Sequence, residues 1–307
     1  MQQPYQAVTQ VGLVHFMAFP FAQKGEGDIV GSIERIAADE FFSFLEVTSI
    51  PEADRDAVRA IAESAHLQLG FGAHPTILGG KLNPNSTDDD VRQAAITQLK
   101  PTIDEAAQLG AVAWTFLSGS HGGADVEAAE LDAMVATTID LCRYAGERGL
   151  AVTCEQFDRS IEKKCLIGPA AITKTFADRV SAEVDNFGIC LDLSHLPILD
   201  EQASETVPLL GQHFNHAHAG NAYLGDTSDP MYGDQHPYFG YPGGVNDVPE
   251  LTDYIEVLWR TGYFQRDCAT RLPVFSFEVK PGPDHNIEFV LANTKRVFLE
   301  AWGLAKV

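Results

Sequence analysis

The stretch GICLDLSHLPILDEQASETVPLLGQHFNHAHA, residues 188–219, decides the fold that the sequence predicts. An apolar strand at 188–193 is followed by a short helix near 201–210 and by a second strand at 213–219. Two strands that are separated by a helix must pair in parallel, because the crossover is too long for a hairpin. The stretch therefore predicts one βαβ unit of a parallel sheet.

The same alternation runs through the whole chain of 307 residues. Eight apolar strands alternate with eight helical segments, and the helix at 125–148 has the clearest apolar stripe at steps of three and four. Eight such units predict an α/β protein with a single (β/α)8 TIM barrel domain over residues 1–307. An open doubly wound sheet is the alternative, although the first strand-to-helix turn lacks a GxGxxG motif. The remaining strands are predicted at 11–17, 44–50, 67–73, 112–117, 150–156 and 274–279.

One helix carries two local signals. The segment 88–109 is predicted to be helical, with Thr87 as its N-cap. Proline inside a helix removes a backbone hydrogen bond and clashes with the preceding turn. We therefore expect the helix to break or kink at Pro101.

A long segment after the seventh strand interrupts the alternation. Residues 221–248 contain several Gly, Pro, Tyr and Asp residues and no periodic apolar pattern. A loop of this length in a compact domain is usually functional. Active sites of such barrels lie at the carboxyl ends of the strands, so we expect this loop to lie beside the site.

Composition limits the classes of function. The chain has 43 acidic and 21 basic residues, a formal charge of −22. Nucleic-acid affinity depends mainly on cationic contacts with phosphates, so no nucleic-acid partner is expected. Neither a signal peptide nor a membrane span is predicted, because the first residues lack a basic start and no apolar run is long enough. Five scattered cysteines are typical of a reducing compartment, and we expect a cytoplasmic protein.

Four successive predicted strands end in residues that could bind a metal. Glu155 ends the fifth strand, Asp192 the sixth, His218 lies in the seventh and Glu278 ends the eighth. Alternation places Glu278 on the inner face of its strand, while Phe277 points toward the helices. Buried carboxylates are costly unless they are paired or metal-bound, and these strands supply no cation. The sequence therefore predicts a divalent cation at this site.

The motifs on these strands indicate a family. They are E at strand five, D-x-x-H at 192–195, H-x-H-x-G at 216–220 and S-F-E at 276–278. With them the chain resembles the xylose isomerase-like barrel superfamily, which includes sugar isomerases, ketose 3-epimerases and a DNA-repair endonuclease branch. The resemblance covers all eight units. It implies that one metal ion, commonly Mn²⁺, Co²⁺ or Mg²⁺, binds to Glu155, Asp192, His218 and Glu278.

The resemblance also implies a reaction. Glu155 and Glu278 match the pair that shuttles protons in the epimerase branch, and His195 matches a residue that hydrogen-bonds the substrate near its carbonyl. These three are the predicted catalytic residues. The metal binds the carbonyl and an adjacent hydroxyl of a ketose or related sugar and stabilises an enediolate. One glutamate removes the carbon-bound proton and the other returns one, which gives epimerisation or isomerisation.

Other residues near the strand ends are predicted to contact the substrate together with His195. They are His216, Glu46, His74, Asp234, His236 and Lys280. In the endonuclease branch, a histidine ending strand three, another after strand four and a D-x-H in the loop after strand seven bind further metals. His74, His121 and the segment 234–236 stand near those places, so a second metal is an open alternative.

Three alternatives to a sugar isomerase or epimerase remain open. Ketose epimerases usually continue from H-x-H-x-G to an arginine, which is replaced here within residues 221–226 (NAYLGD). Some similar barrels are catalytic subunits of C-glycoside deglycosidases, which eliminate the aglycone from a 3-oxo-glycoside alongside a small partner subunit. A nuclease similar to the endonuclease branch is the second alternative, and the negative charge of the chain disfavours it. The third alternative is a barrel that binds a ligand without catalysis. We expect a small carbohydrate substrate and a homo-oligomer.

Overall fold

A closed barrel of eight parallel strands forms the centre of the protein. The computed structural model describes residues 3–282 and 285–306. Each strand pairs in parallel with the next along the chain, and the eighth closes on the first, which confirms the predicted fold class. The strands are β1 Gln10–Val14, β2 Phe44–Val47, β3 Gln68–Gly72, β4 Ala113–Leu117, β5 Ala151–Glu155, β6 Phe187–Asp192, β7 Phe214–Gly220 and β8 Val274–Glu278.

Helices surround the barrel and connect its strands. Among the described residues, no helix combines the length and the apolarity needed to cross a lipid bilayer. The α-helices are α1 His15–Ala18, α2 Ile29–Ala37, α3 Glu52–Ser64, α4 His74–Gly80, α5 Asp89–Gln108, α6 Glu127–Gly146, α7 Ala170–Ser181, α8 His195–Ile198, α9 Ala203–Leu210, α10 Val248–Arg260 and α11 Ile287–Leu304. Short 3₁₀ turns cover Tyr5–Ala7, Pro20–Lys24, Gly211–His213 and Tyr263–Gln265.

Helix α5 differs from the expectation at two points. Its N-cap is Asp88 rather than Thr87, because the Asp88 carboxylate accepts a hydrogen bond from the backbone N–H of Asp90 at 2.9 Å. The predicted break is wrong, since the helix continues through Pro101. Buried residues lie on both sides of the proline within 95–106. Their packing outweighs the single backbone hydrogen bond that proline removes.

The side chains of the strands face as the alternation predicts. The ring of Phe277 lies 5.7 Å from the ring of Phe298 on α11, so it points toward the helices. On the inner face, Gly12 leaves space for Ser276, whose hydroxyl oxygen would lie 2.2 Å from a Cβ atom at residue 12. Small residues therefore fill this part of the interior.

The register of the last strands brings their ends together. Asp192 of β6 lies opposite His218 of β7. Gly220, two residues beyond His218, lies opposite Glu278 at the end of β8. Glu155 ends β5, the strand on the other side of β6. Parallel pairing thus places all four predicted metal ligands at the same mouth of the barrel.

Candidate metal centre

The structure brings the four predicted ligands into one cluster, which we call the four-ligand centre. Glu155, Asp192, His218 and Glu278 each offer a ligand atom, and these atoms all lie within 4.8 Å of one another. The Nδ1 atom of His218 is 3.1 Å from Glu278 Oε2 and 3.4 Å from Glu155 Oε1. All four residues are buried, and Glu278 is the most exposed at 7%.

Two carboxylate oxygens in this centre have no hydrogen-bond partner among the described residues. They are Glu155 Oε1 and Asp192 Oδ2. The other oxygen of Asp192 accepts hydrogen bonds from the backbone N–H groups of Ser194 at 2.6 Å and Gly220 at 2.9 Å. A buried carboxylate oxygen without a partner is costly. Two of them, beside an imidazole and a third carboxylate, fit a divalent cation that prefers oxygen and nitrogen ligands.

The environment shifts the pKa values of Asp192 and Glu155 in opposite directions. Burial raises the pKa of Asp192 above its usual value, although the nearby His236 and His195 oppose this rise. Burial also acts to raise the pKa of Glu155, but the imidazoles of His218 and His74 outweigh it and lower the pKa. Glu155 is therefore anionic at neutral pH, as a ligand or a proton acceptor must be.

Glu46 of β2 lies on the opposite side of the His218 ring from the other acids. The Nε2 atom of His218 is 3.1 Å from each Glu46 oxygen, and the Nε2 atom of His216 is 3.0 Å from Oε1. Burial acts to raise the pKa of Glu46, but these two imidazoles hold it well below its usual value. The carboxylate therefore fixes the Nε2 proton of His218 and leaves Nδ1 directed at the four-ligand centre. The predicted substrate contacts of Glu46 and His216 stay predictions.

A second group, the loop cluster, consists of His195, Asp234 and His236. Asp234 Oδ1 accepts a hydrogen bond from His195 Nε2 at 2.9 Å, and His236 Nε2 lies 2.8 Å from the same oxygen. The Nδ1 atom of His195 donates to the backbone carbonyl of Gln156 at 2.6 Å. Both partners of His195 are acceptors, so its ring carries two protons.

This arrangement bears on the predicted role of His195. Burial acts to lower the pKa of His195, but Asp234 outweighs it and raises the pKa to about 10. Since both ring nitrogens already have protein partners, neither is free in this structure for the predicted hydrogen bond to a substrate. His195 instead connects the β5 strand end, through Gln156, to the loop that contains Asp234.

His74 begins α4 directly after β3 and contacts the four-ligand centre. Its Nε2 atom is 2.9 Å from Glu155 Oε2. The ring lies between two aromatic side chains, with centroid distances of 6.2 Å to Phe16 and 5.8 Å to Phe157. His74 therefore contacts the second oxygen of Glu155, and its predicted contact with a substrate stays a prediction.

Two other candidates, Lys280 and His121, have partners outside the four-ligand centre. The Lys280 ammonium donates to the side chain of Gln235 at 3.0 Å. The Nδ1 atom of His121 lies 3.0 Å from Glu130 of α6. His121 is thus engaged by a helix outside the barrel, which gives no support to its role as a ligand.

Sequence patterns did not indicate Lys163. Its ammonium lies 3.1 Å from Asp234 Oδ2. Lys163 belongs to a loop without periodicity, and the only available signal was that this loop follows the carboxyl end of β5.

Together, the fold and the cluster define a (β/α)8 barrel protein with a candidate metal centre at the carboxyl ends of its strands. The model of the xylose isomerase-like TIM barrel family matches residues 32–265. The chain belongs to this family, as the motifs on β5 to β8 predicted.

Solved structures of similar architecture cover nearly the whole chain. D-psicose 3-epimerase from Clostridium cellulolyticum H10, crystallised with D-tagatose, is 18% identical, with a TM-score of 0.65 and coverage of 96% of each chain. The 3-keto-D-glucoside 4-epimerase from E. coli is 12% identical, with a TM-score of 0.68 and coverage of 94% of this chain and 98% of that one. AP endonuclease family 2 from Brucella melitensis is 17% identical, with a TM-score of 0.65 and coverage of 95% and 97%. These likenesses show the fold. No curated protein matches the sequence significantly.

Proposed function

We propose that this protein is a divalent-metal-dependent epimerase or isomerase of a ketose or related carbonyl sugar. The observation that carries the proposal is the four-ligand centre, with its two unpartnered carboxylate oxygens on Glu155 and Asp192. A divalent cation held there by Glu155, Asp192, His218 and Glu278 would polarise a carbonyl and stabilise the negative charge that develops when a neighbouring carbon loses its proton.

The positions of the two glutamates support proton transfer from different sides of a substrate. Glu155 ends β5 and Glu278 ends β8, and the ends of β6 and β7 lie between them around the barrel mouth. His218 Nδ1 stands between their carboxylates, at 3.4 Å and 3.1 Å. One carboxylate removes the proton bound to carbon, and the other delivers a proton from the other side. This placement favours inversion at carbon, that is, epimerisation.

The remaining residues of the site orient these groups. Glu46 accepts a hydrogen bond from Nε2 of His218, and His74 contacts the second oxygen of Glu155. Phe157 is buried, and its ring centroid lies 4.5 Å from that of His195. The similar structures named for epimerases of D-psicose and of 3-keto-D-glucoside support a carbonyl sugar as the substrate class.

Elimination from a 3-oxo-glycoside is the second candidate. It is favoured by the likeness to a 3-keto-D-glucoside 4-epimerase and by the loop at residues 221–247, which contains no helix or strand and supplies Asp234 and His236. The same acid–base pair would remove the proton beside the keto group. A nuclease is disfavoured because the charge of −22 opposes contact with phosphates.

Exchange of carbon-bound hydrogen for deuterium tests the proposal. The protein is incubated in D₂O with Mn²⁺ and a panel of ketoses and 3-oxo-glycosides, and products are followed by NMR. Deuterium in an epimer or isomer supports the primary proposal, and a released aglycone supports the second candidate. Absence of exchange with every carbonyl sugar would refute both.

A variant pair tests whether the reaction depends on Glu155. Glu155→Gln should keep the fold and lose exchange. Glu105→Gln is the control, because Glu105 is also a buried glutamate but contacts the backbone N–H of Ile50 and the Arg55 side chain instead of the four-ligand centre. Exchange at the wild-type rate in Glu155→Gln would remove Glu155 from this role.

A further inference from the structure

Lys163 places a fixed positive charge beside the loop cluster. An ammonium group has three N–H donors, and three acceptors surround this one. Glu162 Oε1 lies at 2.9 Å, the backbone carbonyl of Asp234 at 3.2 Å and Asp234 Oδ2 at 3.1 Å. Only 14% of the Lys163 side chain is exposed. The charge is therefore held in one position rather than spread over rotamers in solvent.

The loop that carries Lys163 is itself held in place. The Asp158 carboxylate accepts hydrogen bonds from the backbone N–H groups of Ile161, Glu162 and Lys163, at 2.7, 2.8 and 2.6 Å. Glu162 Oε2 accepts from the backbone N–H of Asp234 at 3.1 Å. The loop after β5 and the loop after β7 are thus joined by two charged side chains, those of Lys163 and Glu162.

The loop cluster has the residue types of a metal site. Ligand atoms of His195, Asp234 and His236 lie within 4.8 Å of one another, and all three residues are buried. Its carboxylate differs from those of the four-ligand centre, however. Asp234 pairs with Lys163, whereas no lysine or arginine among the described residues pairs with Glu155 or Asp192.

A cation at the loop cluster would meet a charge that is already compensated. Asp234 Oδ1 contacts the imidazoles of His195 and His236, and its Oδ2 pairs with the Lys163 ammonium. A divalent ion on this carboxylate would be repelled by that ammonium at short range, in a site where water screens little. Asp234 Oδ2 accepts no hydrogen bond from the described residues, but its ion pair with Lys163 compensates the carboxylate charge without a metal.

We propose that Lys163 is a positioning residue that takes the place of a second metal ion at the loop cluster. It fixes Asp234, and through Asp234 it fixes His195 and His236, beside a single divalent centre. The proposal rests on the proposed metal at the four-ligand centre, and it assigns the protein one tightly bound ion per chain.

Metal counting tests this without any sugar. Metal-free full-length protein is titrated with Co²⁺, and bound metal is measured by elemental analysis after removal of free ion. We expect one tight ion in the wild type and in Lys163→Arg, which keeps the charge. In Lys163→Met we expect a second ion, bound at least about tenfold more tightly than any second ion in the wild type. Circular dichroism establishes that each variant is folded.

Lys164→Met is the matched control. Lys164 is the next residue along the chain and is exposed, and its side chain forms no ion pair with any described residue. The Lys164→Met variant should bind one ion, since the charge that it lacks lies outside the loop cluster.

Two tight ions in the wild type would overturn the proposal, and this result does not depend on whether Lys163→Met folds. A folded Lys163→Met variant that binds one ion would also overturn it. Failure of the proposed function gives a different result, because lack of exchange with sugars leaves these ion counts unchanged. A wild-type protein without any tight ion would remove both the four-ligand centre and the role of Lys163.

Discussion

Replacement of Glu46 by glutamine tests whether this residue supports the metal centre through its hydrogen bond with His218. The Glu46 carboxylate is only 2% exposed and accepts hydrogen bonds from His218 and His216 at 3.0 to 3.1 Å. Glutamine keeps the volume, but it removes the negative charge and offers one acceptor oxygen for two imidazoles. Loss of such an outer partner weakens metal binding about 10- to 100-fold. This corresponds to about 1.4 to 2.7 kcal/mol of binding free energy.

The assay is a competition for Co²⁺ between the folded protein and a coloured chelator at neutral pH. Glu130→Gln is the matched control, because Glu130 is also a buried glutamate that pairs with a histidine, His121, at 3.0 Å. It should lower stability without changing metal affinity. If Glu46→Gln binds Co²⁺ as tightly as the wild type but raises KM for a sugar, Glu46 contacts the substrate, as the sequence predicts. Its support of the metal centre through His218 would then be refuted.

Three further predictions concern stability. Burial lowers the pKa of His15 from 6.5 to about 4. The folded state therefore disfavours the charged imidazole. A contribution of about 3 kcal/mol to the free energy of unfolding is present above pH 6.5 and is lost as the pH falls toward 4. Urea unfolding of wild type and His15→Gln should therefore converge as the pH falls, and parallel curves would contradict this. Gly72→Ala would place a Cβ atom 2.8 Å from the Phe16 ring, and we expect the free energy of unfolding to fall by about 1 to 3 kcal/mol. Gly79→Ala is the control, because a Cβ atom there would have no atom within 4 Å. Equal losses in the two variants would refute the contact argument. EDTA should lower the midpoint of thermal unfolding and Mn²⁺ should restore it, because an ion that binds only the folded chain stabilises it; an unchanged midpoint would argue against a resident cation.

The four-ligand centre could be located from the sequence because every member lies at or near a strand end. Apolar runs mark the strands, alternation gives the face of Glu278 or Asp192, and parallel pairing brings successive strand ends to one level. None of these steps requires knowledge of distant contacts. Local preference was less reliable at helix ends, where Asp88 rather than Thr87 caps α5.

The contacts that cross the barrel could not be predicted in this way. Glu46 and His218 are 172 residues apart and belong to β2 and β7, which are not neighbours in the sheet. Their meeting depends on closure and on the depth of each side chain in the interior, and no periodic pattern encodes either. Lys163 is a similar case, because its partner Asp234 lies in another loop, and loop conformation depends on contacts such as those of Asp158.

The depth at which the four ligands lie has a practical meaning for anyone who prepares the protein. With at most 7% of any ligand residue open to solvent, we expect an ion in the surrounding buffer to enter and leave the site slowly. The metal in a purified sample would then reflect the ions that were available while the chain folded. Refolding from metal-free denaturant in the presence of one chosen ion gives a defined starting material.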